Sequence, residues 1–539
     1  MKFKLYISAM TLSALALSSC NDLEQLPTNE FTDENFWSIE RAEYMVNMAY
    51  NQMYSADRMW RDEALSDNIC DTRGGNQFDI RKGNTLSTNE LFAYEWKELY
   101  GGIKSCHVFL DNIDAMAIDA KEKESLKAQV RFIRAFIYLR LTSFYGDVPF
   151  FTHDISYEES QHISRTPRAE VINFIHSELN EIISILPSKD EAVSGRITKA
   201  AAAMLNARAY LYDSNWAEVE KICRNIMNGE YGKYSLFPSY DGLFLVENEY
   251  NDEVILDRGY LENAVTWSND FQDKIVYSIG ERNPNELPVQ SLIDNYLMIN
   301  GSTIDEADSG YDPNDPYVNR DPRMDATVVY DGYEWNEKVK NTYFHEFYNI
   351  ERIVFEGGFY KQKHADAVVT DEINETSNTF NRTGYGCRKY HAPQAQKNWN
   401  SGLNIIMMRY ADVLLMYAEA AFEQGKLNEA IWNETIRAIR ERAGFTADKA
   451  LNFPTATGDA LRKIIRNERR SELAIEGLRY FDIMRWKAGE EYLNQEVRGA
   501  AFTTWKDQYR FNPKRDYLWA IPANQINLNA NLTQNEGWY

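Results

Sequence analysis

The sequence predicts a mainly α-helical protein in which one loop-rich insertion interrupts a scaffold of helix pairs. Three observations support this fold class. Several long segments repeat apolar residues at the three- and four-residue spacing of a buried helix. Two of these segments resemble one another, as expected for stacked helix hairpins. Between them, residues 230–400 hold clusters of Asn and Gly, Asp-Pro turns and only short apolar stretches.

The N-terminus has the pattern of a bacterial secretion signal. Two lysines precede an apolar run, and the sequence LSSC ends this run at Cys20. LSSC resembles a lipobox, in which the cysteine becomes the acylated first residue of the mature chain; an ordinary cleavable signal is the alternative. We expect a signal peptide at 1–19, a mature chain at 20–539 and lipidation at Cys20.

The bulk composition limits the class of ligand. The formal net charge is -23 and the sequence pI is about 4.9, with the carboxylates spread along the chain. This balance argues against nucleic acid, because nucleic-acid binding depends on Lys and Arg displacing counterions. After residue 20, no stretch approaches the roughly 18 apolar residues of a membrane-spanning helix. The chain also contains no Pro/Gly/Ser linker, so we expect one body with an insertion.

Helical periodicity marks most of the scaffold. In 126–145 the apolar residues form two stripes, which requires a helix packed between neighbours. The remaining helical patterns cover residues 38–56, 91–113, 168–186, 198–228, 403–441 and 458–486. We therefore predict a helical scaffold at about 38–228 and 403–486, the insertion at about 230–400, and a C-terminal segment at 487–539.

The two similar segments match in the manner of tetratricopeptide hairpins. A small residue near the end of one helix is followed by a polar turn, and then by a bulky and a small residue on the next helix. Such hairpins need stacked neighbours to cover their apolar faces. The aligned pairs are Ala209 with Ala420, Leu211 with Phe422, Ser214 with Gly425, Trp216 with Leu427, and Val219 with Ala430.

No motif indicates catalysis or a resident metal. The sequences G-x-S-x-G, H-E-x-x-H and G-x-x-x-x-G-K-[ST] are missing from the chain, and the seven histidines are isolated. We therefore expect no enzyme activity, no cofactor and no metal. The acidic stretch 305–315 lacks calcium-loop spacing and is expected to be a solvated turn. Four cysteines, at 70, 106, 223 and 387, could form disulfides, but their scattering favours buried small hydrophobes.

Five segments along the chain have the character of motifs: RFIRAFIYLRLTSFYGDVPFF at 131–151, NRDPRM at 319–324, RYADVLLMYAEA at 409–420, NERRSELAIEGLRYFDIMRW at 467–486 and YLWAIP at 517–522. In this order they resemble signatures of the SusD/RagB family. Residue chemistry explains much of these motifs as scaffold. Gly146 fits a helix stop and Asp321-Pro322 fits a turn. Charged residues at 409, 412 and 419 are placed to pair with those at 468, 469, 470 and 472.

The resemblance implies more than the residues do. It implies a scaffold of four tetratricopeptide-type hairpins, a SusC-like TonB-dependent outer-membrane transporter as partner, and lipid-anchored capture of oligosaccharides at the cell surface. Some members of the family capture peptides instead, so a peptide-capturing RagB-like lipoprotein of the same fold is the alternative.

A sugar site requires aromatic faces with amide and guanidinium groups at their edges. Because helices such as 126–145 take up many aromatic residues as core, the informative ones stand among polar residues in loops. We expect a shallow aromatic platform formed by the 57–90 loop and the 255–345 insertion; for each residue, the alternative is that it pins its own loop. The predicted contacts are Arg73, Asn76, Phe78, Trp267, Tyr277 and Trp335.

Overall fold

The structure is a computed structural model of the chain. It describes residues 39–267, 274, 285–331, 333–339, 342–347, 350–351, 371–372, 382–391, 396–397, 400–501 and 503–538. Side chains are described over the same ranges except at 39–40 and within 334–381 and 392–399. Cys20, Tyr277 and the side chain of Trp335 therefore lie outside the described part of the chain.

Helices dominate the described residues, which confirms the predicted fold class. The helices are α1 Ile39–Met53, α2 Ala56–Ala64, α3 Asn76–Arg81, α4 Glu90–Asn112, α5 Ala120–Tyr145, α6 Tyr157–Ser160, α7 Arg168–Ile182, α8 Lys199–Tyr212, α9 Trp216–Met227, α10 Gln290–Asn295, α11 Pro322–Thr327, α12 Tyr410–Glu423, α13 Glu429–Trp432, α14 Ala438–Ala443, α15 Asp448–Leu451, α16 Gly458–Glu472, α17 Arg479–Arg485, α18 Gly489–Tyr492 and α19 Ala523–Leu528. A π-helical turn, Asn433–Arg437, joins α13 to α14.

Eight helical segments pack in succession as four pairs. The pairs are α1 with α4, α5 with α7, α8 with α9, and α12 with the helix formed by α13, the π turn and α14. Each pair also contacts the next, through α4 with α5, α7 with α8, and α9 with α12. This arrangement buries both apolar stripes of α5, since α5 contacts α1, α4 and α7.

The predicted internal repeat is visible in the backbone. Ser214 follows α8 with φ of 55°, and Gly425 follows α12 with φ of 68°. The two aligned residues thus both adopt the left-handed conformation that ends a helix and starts a tight turn. Glycine adopts it without strain, whereas serine does so less readily. The alignment therefore identified equivalent turn positions.

The strands are short and, in the described part of the chain, pair two at a time. They are β1 Ile69–Asp71, β2 Val148–Pro149, β3 Arg165–Thr166, β4 Val254–Arg258, β5 Glu286–Pro288, β6 Val328–Val329, β7 Glu334–Val339, β8 Thr342–Phe347, β9 Ile350–Glu351, β10 Asp371–Glu372, β11 Gly386–Cys387, β12 Gln396–Lys397, β13 Asn400–Ser401, β14 Ile405–Arg409, β15 Glu496–Arg498 and β16 Lys506–Gln508. The antiparallel pair β4–β14 leads directly into α12, and β1–β5 ties the 57–90 region to the insertion.

Two turn predictions can be compared with the structure. Helix α5 ends at Tyr145, and Gly146 caps it with φ of 72°, as the sequence indicated. Asp321-Pro322 forms more than a turn, because it begins helix α11. The Asp321 carboxylate accepts a hydrogen bond from the Arg323 amide, and proline occupies the first helical turn.

A buried charge network joins the family signatures. Arg409 contacts Glu472 at 2.6 Å and Glu253 at 2.7 Å. Asp412 contacts Arg469 at 2.5 Å. These contacts confirm the predicted pairing between the two signature helices. Two of the predicted residues pair differently. The Glu419 carboxylate pairs with Arg485 of α17, and Arg470 contacts Asp67.

Four smaller observations concern individual side chains and helices. The four cysteines between residues 70 and 387 are free and buried, as the scattering favoured. In the acidic stretch, Glu306 and Asp308 pair with Lys449. Among the described residues, no group of three or more His, Cys, Asp or Glu side chains could hold a metal ion. Within the same residues, every helix is too short or too polar to span a bilayer.

Candidate ligand-binding surface

The loop after β1 carries three of the predicted contact residues. We call residues 72–78 the Arg73 loop. Strand β1 pairs with β5 in register, Asp71 opposite Glu286. One residue beyond the strand, the Thr72 amide donates to the Asn285 carbonyl at 3.0 Å. Backbone pairing therefore fixes the base of the Arg73 loop against the insertion.

The backbone of the loop turns outward at Arg73. The Arg73 amide donates to Asp71 Oδ1 at 3.0 Å and to Asn285 Oδ1 at 2.8 Å, while the side chain is exposed. Gly74 and Gly75 follow with φ of 94° and 148°. A side chain would be strained at both glycines, so this sharp turn depends on them. The result is an exposed guanidinium on a well-defined loop.

Asn76 and Phe78 lie on the short helix α3 and are half-buried. Lys82 Nζ lies 4.4 Å from the centroid of the Phe78 ring and pairs with Asp507 at 2.8 Å. The ammonium covers part of the ring by a cation–π contact. A ligand that stacks on Phe78 would use the remaining face or share the ring with Lys82.

Two arginines hold the loop from within the protein. Arg81 is buried and donates to the carbonyls of Ala64 and Asp71. Arg382 donates to the Thr72 carbonyl at 2.7 Å. Burial raises the pKa of Asp71, and the charge of Arg81 opposes that rise. Hydrogen bonds from two guanidinium groups to backbone carbonyls thus hold the base of the loop. Such support suits a surface that must keep its shape before a ligand arrives.

The structure places Trp267 differently from the exposed platform that we expected. Its side chain is 7% exposed, and its indole N–H donates to the Leu403 carbonyl at 2.8 Å. The Trp267 and Ser401 backbones also pair, with N–O distances of 3.1 and 3.0 Å. Trp267 therefore pins its own segment to 401–403. A ring this deeply buried offers a sugar little surface, and a contribution to binding stays a prediction for assays to test.

The structure says little about the other two predicted aromatic contacts, Trp335 and Tyr277. Trp335 lies on β7 opposite Glu346 of β8, and its side chain is outside the described part of the chain. Tyr277 lies outside it altogether. The structure thus brings Arg73, Asn76 and Phe78 together at one exposed loop. Their groups can donate hydrogen bonds to sugar oxygens and supply part of one apolar face.

Sequence reasoning missed a second surface feature, a cleft of about 520 Å³ that Trp96, Tyr100 and Tyr157 help to line. We call it the Tyr157 cleft. Tyr157 stands among Ser156, Glu158 and Glu159, so it meets the criterion of an aromatic residue among polar ones. Tyr157 lies outside 57–90 and the insertion, the two regions in which the platform was expected.

Two family models match most of the chain. The model described as "SusD family" matches residues 252–538, and a model described as "Starch-binding associating with outer membrane" matches residues 23–211. The two matches lie in succession along the chain and include both signature helices, α12 and α16.

Individual relatives agree with these models. SusD-like protein P2 of Formosa agariphila is 25% identical over 557 aligned positions, covering 99% of this chain and 100% of that protein. SusD-like protein P25 of the same organism is 26% identical and covers 82% and 78%. A solved SusD-like carbohydrate binding protein from Bacteroides fragilis is 27% identical, covers 92% and 99%, and superposes with a TM-score of 0.78.

Proposed function

We propose, from the premise that this chain belongs to the SusD family, that it captures oligosaccharides at the cell surface and delivers them to a SusC-like TonB-dependent transporter. Family membership supports a glycan as the ligand. One matching family model is described as starch-binding and associating with the outer membrane, and a solved relative is described as carbohydrate binding. In this proposal the chain binds glycan without hydrolysing it.

The observation that carries the proposal at residue level is the fixed Arg73 loop. An exposed guanidinium, a half-buried amide and a half-buried ring share a loop that β5, Arg81 and Arg382 hold in place. A pre-formed site loses little conformational freedom when it binds. Sugar hydroxyls mostly exchange water for protein hydrogen bonds, so the affinity of such a site is modest. Modest affinity suits a protein that must release its cargo to a transporter.

Attachment to the membrane belongs to the same proposal. The LSSC sequence ending at Cys20 would supply acyl chains, each buried methylene of which contributes about 0.8 kcal/mol. Stable attachment needs more than one chain. The captured glycan would thereby stay close to the transporter in the outer membrane.

The test is affinity electrophoresis of the mature protein against a panel of soluble polysaccharides, followed by calorimetry with the one that binds. Phe78→Ala and Arg73→Ala should each weaken binding. Losing one stacking aromatic removes about 1 to 3 kcal/mol by analogy with base stacking, which corresponds to roughly 5- to 150-fold in Kd. Tyr44→Ala is the matched control, because Tyr44 is 58% exposed on α1, outside the Arg73 loop.

Thermal melts of all variants show whether folding is intact. If both loop variants fold normally and bind like the wild type, the Arg73 loop is not the site. If the wild type binds no glycan in the panel but binds peptides, the chain captures peptide and the glycan proposal fails.

A further inference from the structure

The floor of the Tyr157 cleft is aromatic. Helix α4 contributes Trp96 and Tyr100, whose ring centroids are 4.9 Å apart. Phe151 continues the row, stacked with Tyr100 at 6.2 Å and 19° between the planes. The Tyr100 hydroxyl donates to the Pro149 carbonyl at 2.8 Å, which fixes the ring. The row is therefore a rigid apolar surface at the bottom of a concave site.

The walls carry exposed apolar side chains on fixed backbone. Tyr157 is 74% exposed and Leu528 is 57% exposed, and both line the cleft. Tyr157 begins α6, whose capping box joins Ser156 and Glu159. Its hydroxyl accepts a hydrogen bond from Gln161 at 3.0 Å. Large apolar side chains held in such exposed positions mark interaction sites when they lie together.

Hydrogen bonds join the two walls of the cleft, the segment around α6 and the C-terminal segment around α19. Asn529, which follows α19, is 4% exposed, and its amide donates to the Ser160 carbonyl at 3.1 Å and to the Ile163 carbonyl at 2.8 Å. These hydrogen bonds join the C-terminal segment to the segment around α6. The shape of the cleft thus does not depend on a mobile wall.

Three side-chain donors at the cleft make no hydrogen bond to the described residues. One of them is the Trp96 indole N–H. The Gln525 side-chain amide and the Lys97 ammonium also line the cleft without a partner among these residues. Lys104 and Asp154, by contrast, neutralise each other at 2.8 Å. Among the described residues, the cleft therefore presents three kinds of unpaired donor, an indole, an amide and an ammonium group, beside aromatic rings.

Helix α4 leaves open space at the cleft beside a glycine. Gly101 lies inside α4 and lines the cleft, and a Cβ added there would meet no atom within 4 Å. Its neighbour Gly102 is different, since a Cβ there would lie 2.6 Å from Ile137 Cδ1. Packing thus explains Gly102 but not Gly101. A glycine inside a helix is unfavourable relative to alanine, and at 101 it preserves space.

We infer that the Tyr157 cleft is a second carbohydrate-binding site, for a short oligosaccharide, separate from the Arg73 loop; this rests on the proposed function. Aromatic rings accept the apolar faces of sugar rings, while the indole, amide and ammonium donors meet sugar oxygens. The volume of about 520 Å³ is in the range of small-ligand sites. None of the residues that line this cleft belongs to the Arg73 loop.

The experiment is calorimetry with hexasaccharides, with maltohexaose and laminarihexaose as first probes and then the hexasaccharide of whichever polysaccharide binds the wild type. Gly101→Trp fills the cleft, and Gly101→Ala is its matched control. We expect two binding events per wild-type chain, one after Gly101→Trp, and two after Gly101→Ala. Tyr157→Ala, at an exposed position, should weaken the same event at least fivefold and covers the case in which the Trp variant fails to fold.

Placing these changes on an Arg73→Ala/Phe78→Ala background separates the two sites. The cleft event should persist in that background and disappear when Gly101→Trp is added. If the wild type binds glycan but Gly101→Trp and Tyr157→Ala leave every binding event unchanged, the second site does not exist. If these variants instead lose only the transporter partner on co-purification, the cleft is a protein contact and the inference is wrong. If the wild type binds no glycan at all, the proposed function has failed together with the cleft.

Discussion

Trp267 holds its own loop in place. Its indole N–H reaches the Leu403 carbonyl at 2.8 Å, and its side chain is part of the main core. Trp267→Phe keeps an aromatic ring but leaves that carbonyl without its donor. Because an unpaired buried acceptor costs about 1 to 3 kcal/mol, the free energy of unfolding should fall by that amount. Denaturant unfolding measures it, and glycan affinity should change less than twofold.

A different outcome would support Trp267 as a ligand contact. If Trp267→Phe unfolded like the wild type but bound glycan far more weakly, the ring would have to reach the ligand despite its burial. Trp267→Ala is less informative, because removing a buried aromatic side chain destabilises a core by about 3 to 5 kcal/mol on its own.

Polar neighbours in the sequence indicate a loop better than they indicate the direction of one side chain. Arg73 is exposed, and Asn76 and Phe78 are half-buried on the loop that the polar sequence predicted. The same criterion selected Trp267, which is buried, because neighbouring polar residues do not determine the direction of one ring. The buried hydrogen bond to Leu403 joins residues 136 positions apart. A contact at that separation leaves no local signal in the sequence.

At the scale of elements, the buried carboxylate Glu472 joins three arginines. Its oxygens contact Arg409 at 2.6 Å and Arg323 at 2.9 Å, and also pair with Arg442. Burial alone would raise the pKa of Glu472, but the three guanidinium groups outweigh burial and hold this pKa well below its ordinary value. A group with a depressed pKa stabilises the fold above its unfolded pKa, and this stability is lost as pH falls.

Glu472→Gln should therefore be strongly destabilising. It leaves buried arginines without their charge partner, and breaking such a pair typically costs about 3 to 5 kcal/mol. The loss should be largest at neutral pH and shrink below pH 4. Glu441→Gln is the matched control, because Glu441 pairs with Arg437 at the surface and should change stability by less than about 1 kcal/mol. Strongly reduced glycan affinity with unchanged unfolding would show that Glu472 serves the site instead.

The pKa of Asp257 on β4 is shifted in the opposite direction from that of Glu472. Burial raises the pKa of Asp257 to about 6, and the hydrogen bond from Asn404 at 2.8 Å only partly opposes the rise. The folded chain thus binds this proton more tightly than the unfolded chain. Stability from the group is present below about pH 4 and is lost as pH rises to about 6.

Asp257→Asn removes this titration while keeping an acceptor for Asn404. At pH 8 the variant should be more stable than the wild type by about 2 to 3 kcal/mol, and at pH 4 the two should agree. Denaturant unfolding at both pH values measures the difference. An equal effect at the two pH values would show that Asp257 does not titrate as proposed.

The predicted end of a helix agrees with the structure where the sequence contains a clear helix-stop residue such as glycine. Helix α5 stops at Gly146, as predicted. The pattern at 403–441 instead begins with strand β14, because an apolar run is compatible with either element. The pattern at 458–486 breaks between α16 and α17, where Ile475 has φ of 60°. This conformation is rare for a β-branched residue, so no local pattern indicates the break.

At the scale of the whole molecule, the C-terminal segment fastens the first half of the scaffold. The Asn535 amide donates to the carbonyls of Tyr145 and Trp519, at 2.9 and 2.7 Å. Arg165 donates to the Thr533 carbonyl at 3.0 Å. The segment that follows the YLWAIP signature therefore closes the fold over the end of α5. The sequence motif identified this region, whereas the hydrogen bonds of Asn535 to Tyr145 and of Arg165 to Thr533 join residues 390 and 368 positions apart.

Membrane attachment is a property of the whole chain in the cell. Cys20→Ala removes the thiol that would carry the acyl chains, so the protein should move from the membrane fraction to the soluble fraction. Membrane fractionation with immunodetection measures this, and Cys70→Ala is the control because Cys70 is a buried free thiol. An unchanged membrane fraction after Cys20→Ala would contradict lipidation.

The most direct test of the central claim is a calorimetric titration of the mature protein with the polysaccharide selected by the panel, beside a titration with a peptide digest. We predict saturable binding of the glycan, a loss of roughly 5- to 150-fold in affinity after Phe78→Ala, and no heat of binding with the peptides. Saturable binding of peptides with no binding of any glycan would contradict the account, and the chain would then be a peptide-capturing member of its family.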